Sequence, residues 1–304
     1  MRVMFKRLRR FFAYRMVYLG ARLLMVLARA LPRRLGRSIF AKLGAVAYLV
    51  LAKSRKIALA NLRFIYGSAF TDKEIRRIAL RAFENLARCG YDVARLDSIT
   101  PEGIESIVTV TGGDHLDAAL ARGRGVIALT GHVGNWELLA AYWSMRGYPV
   151  NVLATRMKDA RLERLVSGMR RRVGLKVIER SAGLKEALRC LRRGEILGIL
   201  IDQDTAVDSV VVDFLGRPAK TAVGPVKLAL HTGAAVVPLA ALENRDGTYH
   251  IDIKAPLDLS GNQSQLADDV SKCSKAVEAY IGADPTQWVW MHKRWKSVTS
   301  GMYA

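Results

Sequence analysis

The sequence predicts an α/β fold: a mixed, largely parallel central sheet flanked by helices, preceded by a basic, apolar helical segment. Three observations predict it. From about residue 107 onward, short apolar runs alternate with segments of helical periodicity, the pattern that builds a substantially parallel sheet. No Asp or Glu occurs before Asp72, whereas sixteen Lys and Arg fall between residues 2 and 63. The same acid-free stretch is strongly apolar, with Phe11, Phe12, Tyr14, Met16, Val17, Tyr18 and Leu19 followed by Leu23, Leu24, Met25, Val26 and Leu27.

The elements follow in order. Residues 1–65 read as a basic helical segment punctuated by Pro32 and Gly36. Thr71-Asp72-Lys73-Glu74 is a capping box that opens a helix through Ile78, Phe83 and Leu86. Thr100-Pro101-Glu102 starts a short element, and 107–110 is a strand. Helices are predicted at 116–121, 136–145, 162–172, 184–191, 224–232 and 268–281, and strands at 125–130, 150–154, 175–178, 196–201, 235–242 and 249–253. The division into units is therefore 1–65, a helical segment, and 66–304, an α/β domain.

The 304 residues carry a formal net charge of +21, which calls for an anionic partner. Its distribution identifies the partner. After residue 71 the chain holds thirty-two basic and twenty-seven acidic residues, so the excess belongs to the N-terminal segment. Arg15, Arg22 and Arg29 recur every seven residues and form one stripe on a helix, drifting about 20° per heptad. A basic stripe on an apolar body fits a helix lying in an anionic membrane surface and does not fit a nucleic-acid arm. The uncharged stretch 43–52 is too short to span a bilayer, which needs about 20 apolar residues. Lys and Arg beside the membrane favour its cytoplasmic face, with peripheral or monotopic attachment. Cys89, Cys190 and Cys273 are far apart and lack metal spacing, which argues against disulfides and a zinc site and suits a reducing compartment.

The chemistry concentrates in Thr130-Gly131-His132-Val133-Gly134-Asn135-Trp136-Glu137, where a buried strand ends and a helix begins. Sites in open α/β sheets gather at such strand ends. Gly131 and Gly134 are expected to let a ligand approach the backbone. Glu137 is expected to accept the Nδ1–H of His132, leaving Nε2 to take a proton from a hydroxyl. Backbone N–H groups of Gly134 and Asn135, at a helix N-terminus, are expected to hold the oxyanion. Asp202, ending an apolar strand, is either an organiser of the pocket or a strand-end cap.

Gly131-His132-Val133-Gly134-Asn135-Trp136-Glu137 resembles the His-x4-Asp/Glu motif of lysophospholipid acyltransferases. It is most similar to the late acyltransferases of lipid A biosynthesis and the related phosphatidylinositol mannoside acyltransferases. The similarity continues in order through Thr155-Arg156, through the strand ending Asp202-Gln203-Asp204, through the loop 214–225 beginning Phe214-Leu215-Gly216, and through the closing segment Trp288-Val289-Trp290-Met291-His292-Lys293-Arg294-Trp295-Lys296. Thr155 and Met157 depart from the family's common Tyr and Pro, while Glu137 follows the lipid A branch.

The resemblance implies transfer of an acyl group from a thioester, on acyl carrier protein or coenzyme A, to a hydroxyl of a membrane glycolipid. A lipid A precursor at the bacterial inner membrane is its first implication. A phosphatidylinositol mannoside or a lysophospholipid is the alternative acceptor, and a non-catalytic membrane-binding protein of the same fold is a further one. Catalysis falls to His132 and Glu137, and substrate binding to Gly134, Asn135, Arg156, Arg170, Arg171, Asp202 and Gln203. No metal, cofactor or nucleic-acid partner is implied. Trp288, Trp290 and Trp295, interleaved with His292, Lys293, Arg294 and Lys296, suit either an interfacial belt or a packed C-terminal helix.

Overall fold

The computed structural model describes residues 2–180, 183–299 and 301–303, with side chains from Tyr14 onward, so Phe11, Phe12 and the basic side chains before them lie outside the described part. Nine strands occur among these residues: β1 (Val108–Thr111), β2 (Val126–Thr130), β3 (Val150–Ala154), β4 (Lys176–Glu179), β5 (Ile196–Leu200), β6 (Ser209–Phe214), β7 (Arg217–Ala222), β8 (Ala235–Glu243) and β9 (Tyr249–Ile253). The helices are α1 (Arg2–Ala30), α2 (Arg33–Val50), α3 (Ala52–Tyr66), α4 (Asp72–Val93), α5 (Pro101–Glu105), α6 (Gly113–Ala121), α7 (Trp136–Met145), α8 (Ala160–Arg172), α9 (Leu184–Arg192), α10 (Gly224–Thr232) and α11 (Leu266–Ala283).

Seven strands form one sheet in the order β1-β9-β8-β2-β5-β3-β4. Every neighbouring pair is parallel except β8 and β9. This is the mixed, mostly parallel sheet the alternation predicts. Strand β2 sits at its centre with all five residues buried, because helices cover both faces of a parallel sheet and a strand there must be apolar throughout. One apolar core, on one face, includes Leu197, Val226, Val270 and Ile281. The other includes Leu116, Leu138, Trp143 and Ile251.

The strands β6 and β7 form a separate antiparallel hairpin, where the sequence reading took 214–225 as a loop. Its turn places Leu215 and Gly216 at φ 56° and 76°, the left-handed pair that a two-residue hairpin turn requires. Lys220 and Pro218 disguised the second strand.

The segment before Asp72 folds as predicted into helices, but it is not a separate unit. Ala58 and Leu62 of α3 belong to the main core, and Asn61 donates to the carbonyls of Trp290 and His292 at 2.7 Å each. Helix α2 packs on α4 at close range: a Cβ on Gly44 would stand 2.5 Å from the Phe83 carbonyl oxygen. A division at residue 65 therefore does not separate two cores. Helix α1 touches the body along Tyr14, Tyr18, Ala21, Met25 and Ala28 and presents Met16, Leu19, Leu23 and Val26 outward. Of sixteen exposed large apolar side chains among the described residues, thirteen fall between Met16 and Leu51, which concentrates exposed apolar surface on α1 and α2. No single helix among the described residues is long and apolar enough to cross a membrane; α2 and α3 meet at a 90° bend.

The Trp-rich closing segment is an irregular run, neither a surface belt nor a helix. Trp288, Trp290, Arg294 and Trp295 are all buried. Arg294 donates to Thr221 Oγ1 at 2.6 Å, pinning the segment to the hairpin.

Candidate active site

Strands β2 and β5 run side by side in parallel with Thr130 opposite Leu200. Two residues beyond each strand end stand His132 and Asp202, so the register itself brings them together. Asp202 Oδ1 lies 2.8 Å from His132 Nδ1, and Asp202 Oδ2 accepts the His132 backbone N–H at 2.7 Å. Trp288 Nε1–H donates to the same Oδ2 at 2.7 Å. Asp202 is buried. Burial alone would raise its pKa; the His132 imidazole and the three hydrogen bonds outweigh that and hold it at about 2. An ionised carboxylate on Nδ1 fixes the tautomer that carries its proton there. The other nitrogen, Nε2, faces the Gln203 side-chain amide at 3.4 Å, a group whose nitrogen can only donate.

The expected pairing of Glu137 with His132 is therefore corrected: the carboxylate on His132 Nδ1 is that of Asp202. Glu137, the second residue of α7, turns toward α8. There Arg170 Nε donates to its Oε2 at 3.0 Å, and Arg170 Nη2 engages Oε1. The fork of a guanidinium on a carboxylate is a bidentate match. Burial pulls the Arg170 pKa down, but Glu137 outweighs it and the net shift is upward. Five residues of separation could not reveal which way the Glu137 side chain leaves its helix.

The glycines and amides of the turn also serve differently from expectation. The Gly134 N–H donates to the Gln287 carbonyl and the Asn135 N–H to the Ala241 carbonyl, both at 2.9 Å, so neither amide is left for an oxyanion. Asn135 is buried; its Oδ1 caps α7 by accepting the Leu138 N–H at 3.1 Å, and its Nδ2 donates to Tyr249 Oη at 3.3 Å. Gly134 has φ 57°, and a Cβ there would fall 2.0 Å from the Ala241 carbonyl oxygen. A Cβ on Gly131 would press on Val277 at 2.8 Å and on the Asp202 carboxyl carbon at 3.1 Å. These glycines let the turn approach β8 and Asp202 rather than a ligand.

His132 opens onto a cleft of about 920 Å³ lined by Trp136, Glu137, Arg156, Arg170, Arg171 and Gln203, together with Arg164 and Arg180. The structure thus gathers every predicted site residue except Gly134, Asn135 and Asp202 around one cleft, and leaves those three outside its lining. Trp136 stacks edge-on against His132 with ring centroids 5.0 Å apart. A small apolar cavity of about 50 Å³ lies inside, sharing Trp136, Ala140, Val152 and Leu200 with the cleft and adding Trp143 and Gly198.

Sequence reasoning did not assign Trp288 or Gln287 to the site. Val133 bridges Trp288, with Val289 N–H donating to the His132 carbonyl at 3.2 Å, so the closing segment clamps the turn that carries His132. A tryptophan whose ring N–H must find an acceptor, in a segment too rich in tryptophan to be solvated, was the available signal.

The model for bacterial lipid A biosynthesis acyltransferases matches residues 2–297. The chain belongs to that family. It is an O-acyltransferase. Among curated relatives, it is 29% identical over 224 residues to a phosphatidylinositol mannoside acyltransferase of Mycobacterium tuberculosis, covering 70% of this chain and 69% of that one. It is 25% identical over 277 residues to a lipid A biosynthesis acyltransferase of Haemophilus influenzae, covering 90% and 86%. It is 24% identical over 262 residues to the lipid A biosynthesis lauroyltransferase of Escherichia coli, covering 86% and 85%.

Proposed function

We propose that this acyltransferase moves a fatty acyl group from a thioester, on acyl carrier protein or coenzyme A, to a hydroxyl of a phosphorylated membrane glycolipid at the cytoplasmic face of the bacterial inner membrane. The observation that carries the reading is the orientation of His132: Nδ1 held by a buried carboxylate, Nε2 turned to a cleft walled by arginines. In this reading Nε2 takes the proton of the acceptor hydroxyl as its oxygen attacks the thioester carbonyl. Asp202 stabilises the imidazolium that forms. The tetrahedral oxyanion forms beside the first turn of α7, whose Trp136 and Glu137 line the cleft and whose helix terminus is electropositive. Collapse expels the thiolate, which takes the proton back from Nε2. Arg156 and Arg171 favour a phosphorylated acceptor, because guanidinium and phosphate pair bidentately. The apolar cavity behind Trp136 receives part of the acyl chain. Glu137 acts through Arg170, keeping α8 and its arginines against the cleft.

The apolar outer faces of α1 and α2 rest in the lipid interface, where exposed apolar surface of this extent belongs. A lipid A precursor is the acceptor that the family favours. The relative from Mycobacterium tuberculosis supports a second reading, a phosphatidylinositol mannoside. Mass spectrometry of lipids from cells with and without the protein separates the two. Loss of an acyl chain from lipid A supports the first, loss from a mannosylated phosphoinositide supports the second, and an unchanged lipid profile overturns both.

A further inference from the structure

The lining of the cleft holds a guanidinium that neither the His132–Asp202 pair nor the Glu137–Arg170 pair uses. Arg180 follows β4 directly, and its backbone N–H donates to the Ala154 carbonyl of β3 at 2.9 Å. Ala154 is opposite Glu179 in the parallel register, so the chain leaves the sheet at Arg180 alongside Thr155 and Arg156. Both arginines line the cleft. Arg180 is half-buried and has no carboxylate partner among the described residues; burial is the sole cause acting on its pKa, which it lowers.

Several cations in and around the cleft are already matched. Arg170 holds Glu137, Arg161 holds Asp159 at 2.8 Å, Arg172 holds Asp97, and Lys176 reaches Glu195 at 3.6 Å. Of the acids lining the cleft, Glu137 is held by Arg170, Glu163 accepts from the Met157 N–H at 2.8 Å and from the Ser167 hydroxyl, and Glu179 directly precedes Arg180. Arg164 and Arg171 stand seven residues apart on α8, hence on one helical face, and both border the same space. A partly desolvated charge without a counter-ion is unfavourable until an anion arrives. Arg156, Arg164, Arg171 and Arg180 outnumber the two carboxylates of the cleft that Arg170 does not hold, Glu163 and Glu179, and suit the several oxygens of a phosphate.

We propose that Arg180, with Arg156 beside it, holds a phosphate ester carried by one of the two substrates, at a distance from the reacting hydroxyl and thioester. The inference rests on the acyl-transfer reading for its substrates. Two sources share the chemistry: the phosphopantetheine arm of the acyl donor and a phosphate on the acceptor sugar.

The test begins without turnover. Inorganic diphosphate is titrated calorimetrically into the full-length protein in detergent, as wild type, Arg180→Ala, Arg180→Lys and His132→Ala. Arg180→Ala is expected to weaken binding about tenfold to hundredfold, the range for a charged hydrogen-bonded pair, with Arg180→Lys intermediate. His132→Ala, which stops transfer, is expected to bind diphosphate as wild type does. Steady-state kinetics then compare acyl-coenzyme A with acyl-pantetheine, and the phosphorylated glycolipid with its dephosphorylated form. Arg180→Ala is expected to raise KM for the phosphate-bearing member of one pair, leaving its phosphate-free counterpart and kcat unchanged, and that pair names the source. Equal diphosphate binding by wild type and Arg180→Ala overturns the proposal. So does a KM increase of the same size for both members of both pairs. Diphosphate binding that depends on Arg180 in a protein that acylates no glycolipid would instead sink the acceptor assignment and leave the anion site standing.

Discussion

Asp202→Asn tests the proposed catalytic pair most sharply, because the structure dictates how the amide must sit. Asp202 Oδ2 accepts two donors, the His132 N–H and the Trp288 Nε1–H, while Oδ1 meets His132 Nδ1. If the asparagine oxygen took the Oδ1 place, its NH2 would face two buried N–H donors. If it took the Oδ2 place, both of those bonds would survive and the NH2 would meet only Nδ1. The second arrangement wins by one buried clash, each such unmade bond costing about 1–3 kcal/mol. It forces His132 into the tautomer with its proton on Nε2, facing the Gln203 amide donor and unable to act as a base. Loss of the correct tautomer in a Ser-His-Asp site lowers kcat by about 10⁴, and general base catalysis as a whole is worth about 10²–10⁴. We therefore expect kcat to fall about 10³–10⁴-fold with KM changed little. The assay follows radiolabelled acyl groups from thioester into extractable lipid, beside Glu137→Gln. Asp202→Asn retaining more than a tenth of wild-type kcat, or Glu137→Gln matching the Asp202→Asn loss in kcat with KM unchanged, would rule out Asp202 as the partner that sets the His132 tautomer.

The remaining predictions concern stability and surfaces. Arg37→Ala removes one buried cation from Asp92 and Glu243, which keep Arg33 and Arg88, and urea titration should show a loss of roughly 1–3 kcal/mol; no measurable loss would mean the network is solvated. Asp202 has its folded pKa depressed from 3.8 to about 2, so the stability it adds is present above 3.8 and lost as pH falls toward 2; in Asp202→Asn the acid-unfolding limb over that window should be shallower. Burial pushes the thiols of Cys89 and Cys273 up to about 12 and that of Cys190 to about 11, so iodoacetamide at pH 8 should label none of them before denaturant is added. Leu49 and Val50 are 69% and 71% exposed, and the double change to Asp should weaken sedimentation with anionic vesicles at high salt; undiminished binding would place the inserting surface elsewhere.

Much of this architecture was legible in the sequence because its signals are local. The Thr71 capping box forms as written, with the Thr71 N–H donating to Glu74 at 2.8 Å. The helix 224–232 and the strand 249–253 fall at their expected bounds. His132 was legible through its place at a strand end. Its partner was not, since Asp202 lies seventy positions away and only the parallel register of β2 and β5 sets the two side by side. Glu137 was the nearer carboxylate in sequence and the wrong one for Nδ1. Trp288 escaped for the same reason: aromatic residues among basic ones read as a surface pattern until the fold buries them. The hairpin turn at Leu215-Gly216 lacked the Asn-Gly signal that would have announced it.

The burial of Arg37 bears on how the protein can be taken apart. From α2 it reaches Asp92 and Glu243 and donates to Tyr249 Oη at 3.0 Å, and Tyr249 Oη in turn accepts from Asn135 in the turn after β2. The helix that carries Leu49 and Val50 on its outer side is thus two hydrogen bonds from the loop that carries His132. Membrane tethers are commonly exchangeable parts, swapped between proteins without harm to the domain they deliver. For the proposed membrane contact, the exchangeable part ends before Ala28, which is buried, and Arg29, which holds Asp97. On that proposal a chimaera joined at Leu27 should keep its activity, whereas one that replaces residues 33–50 with a foreign helix of equal hydrophobicity should bind vesicles and do nothing there.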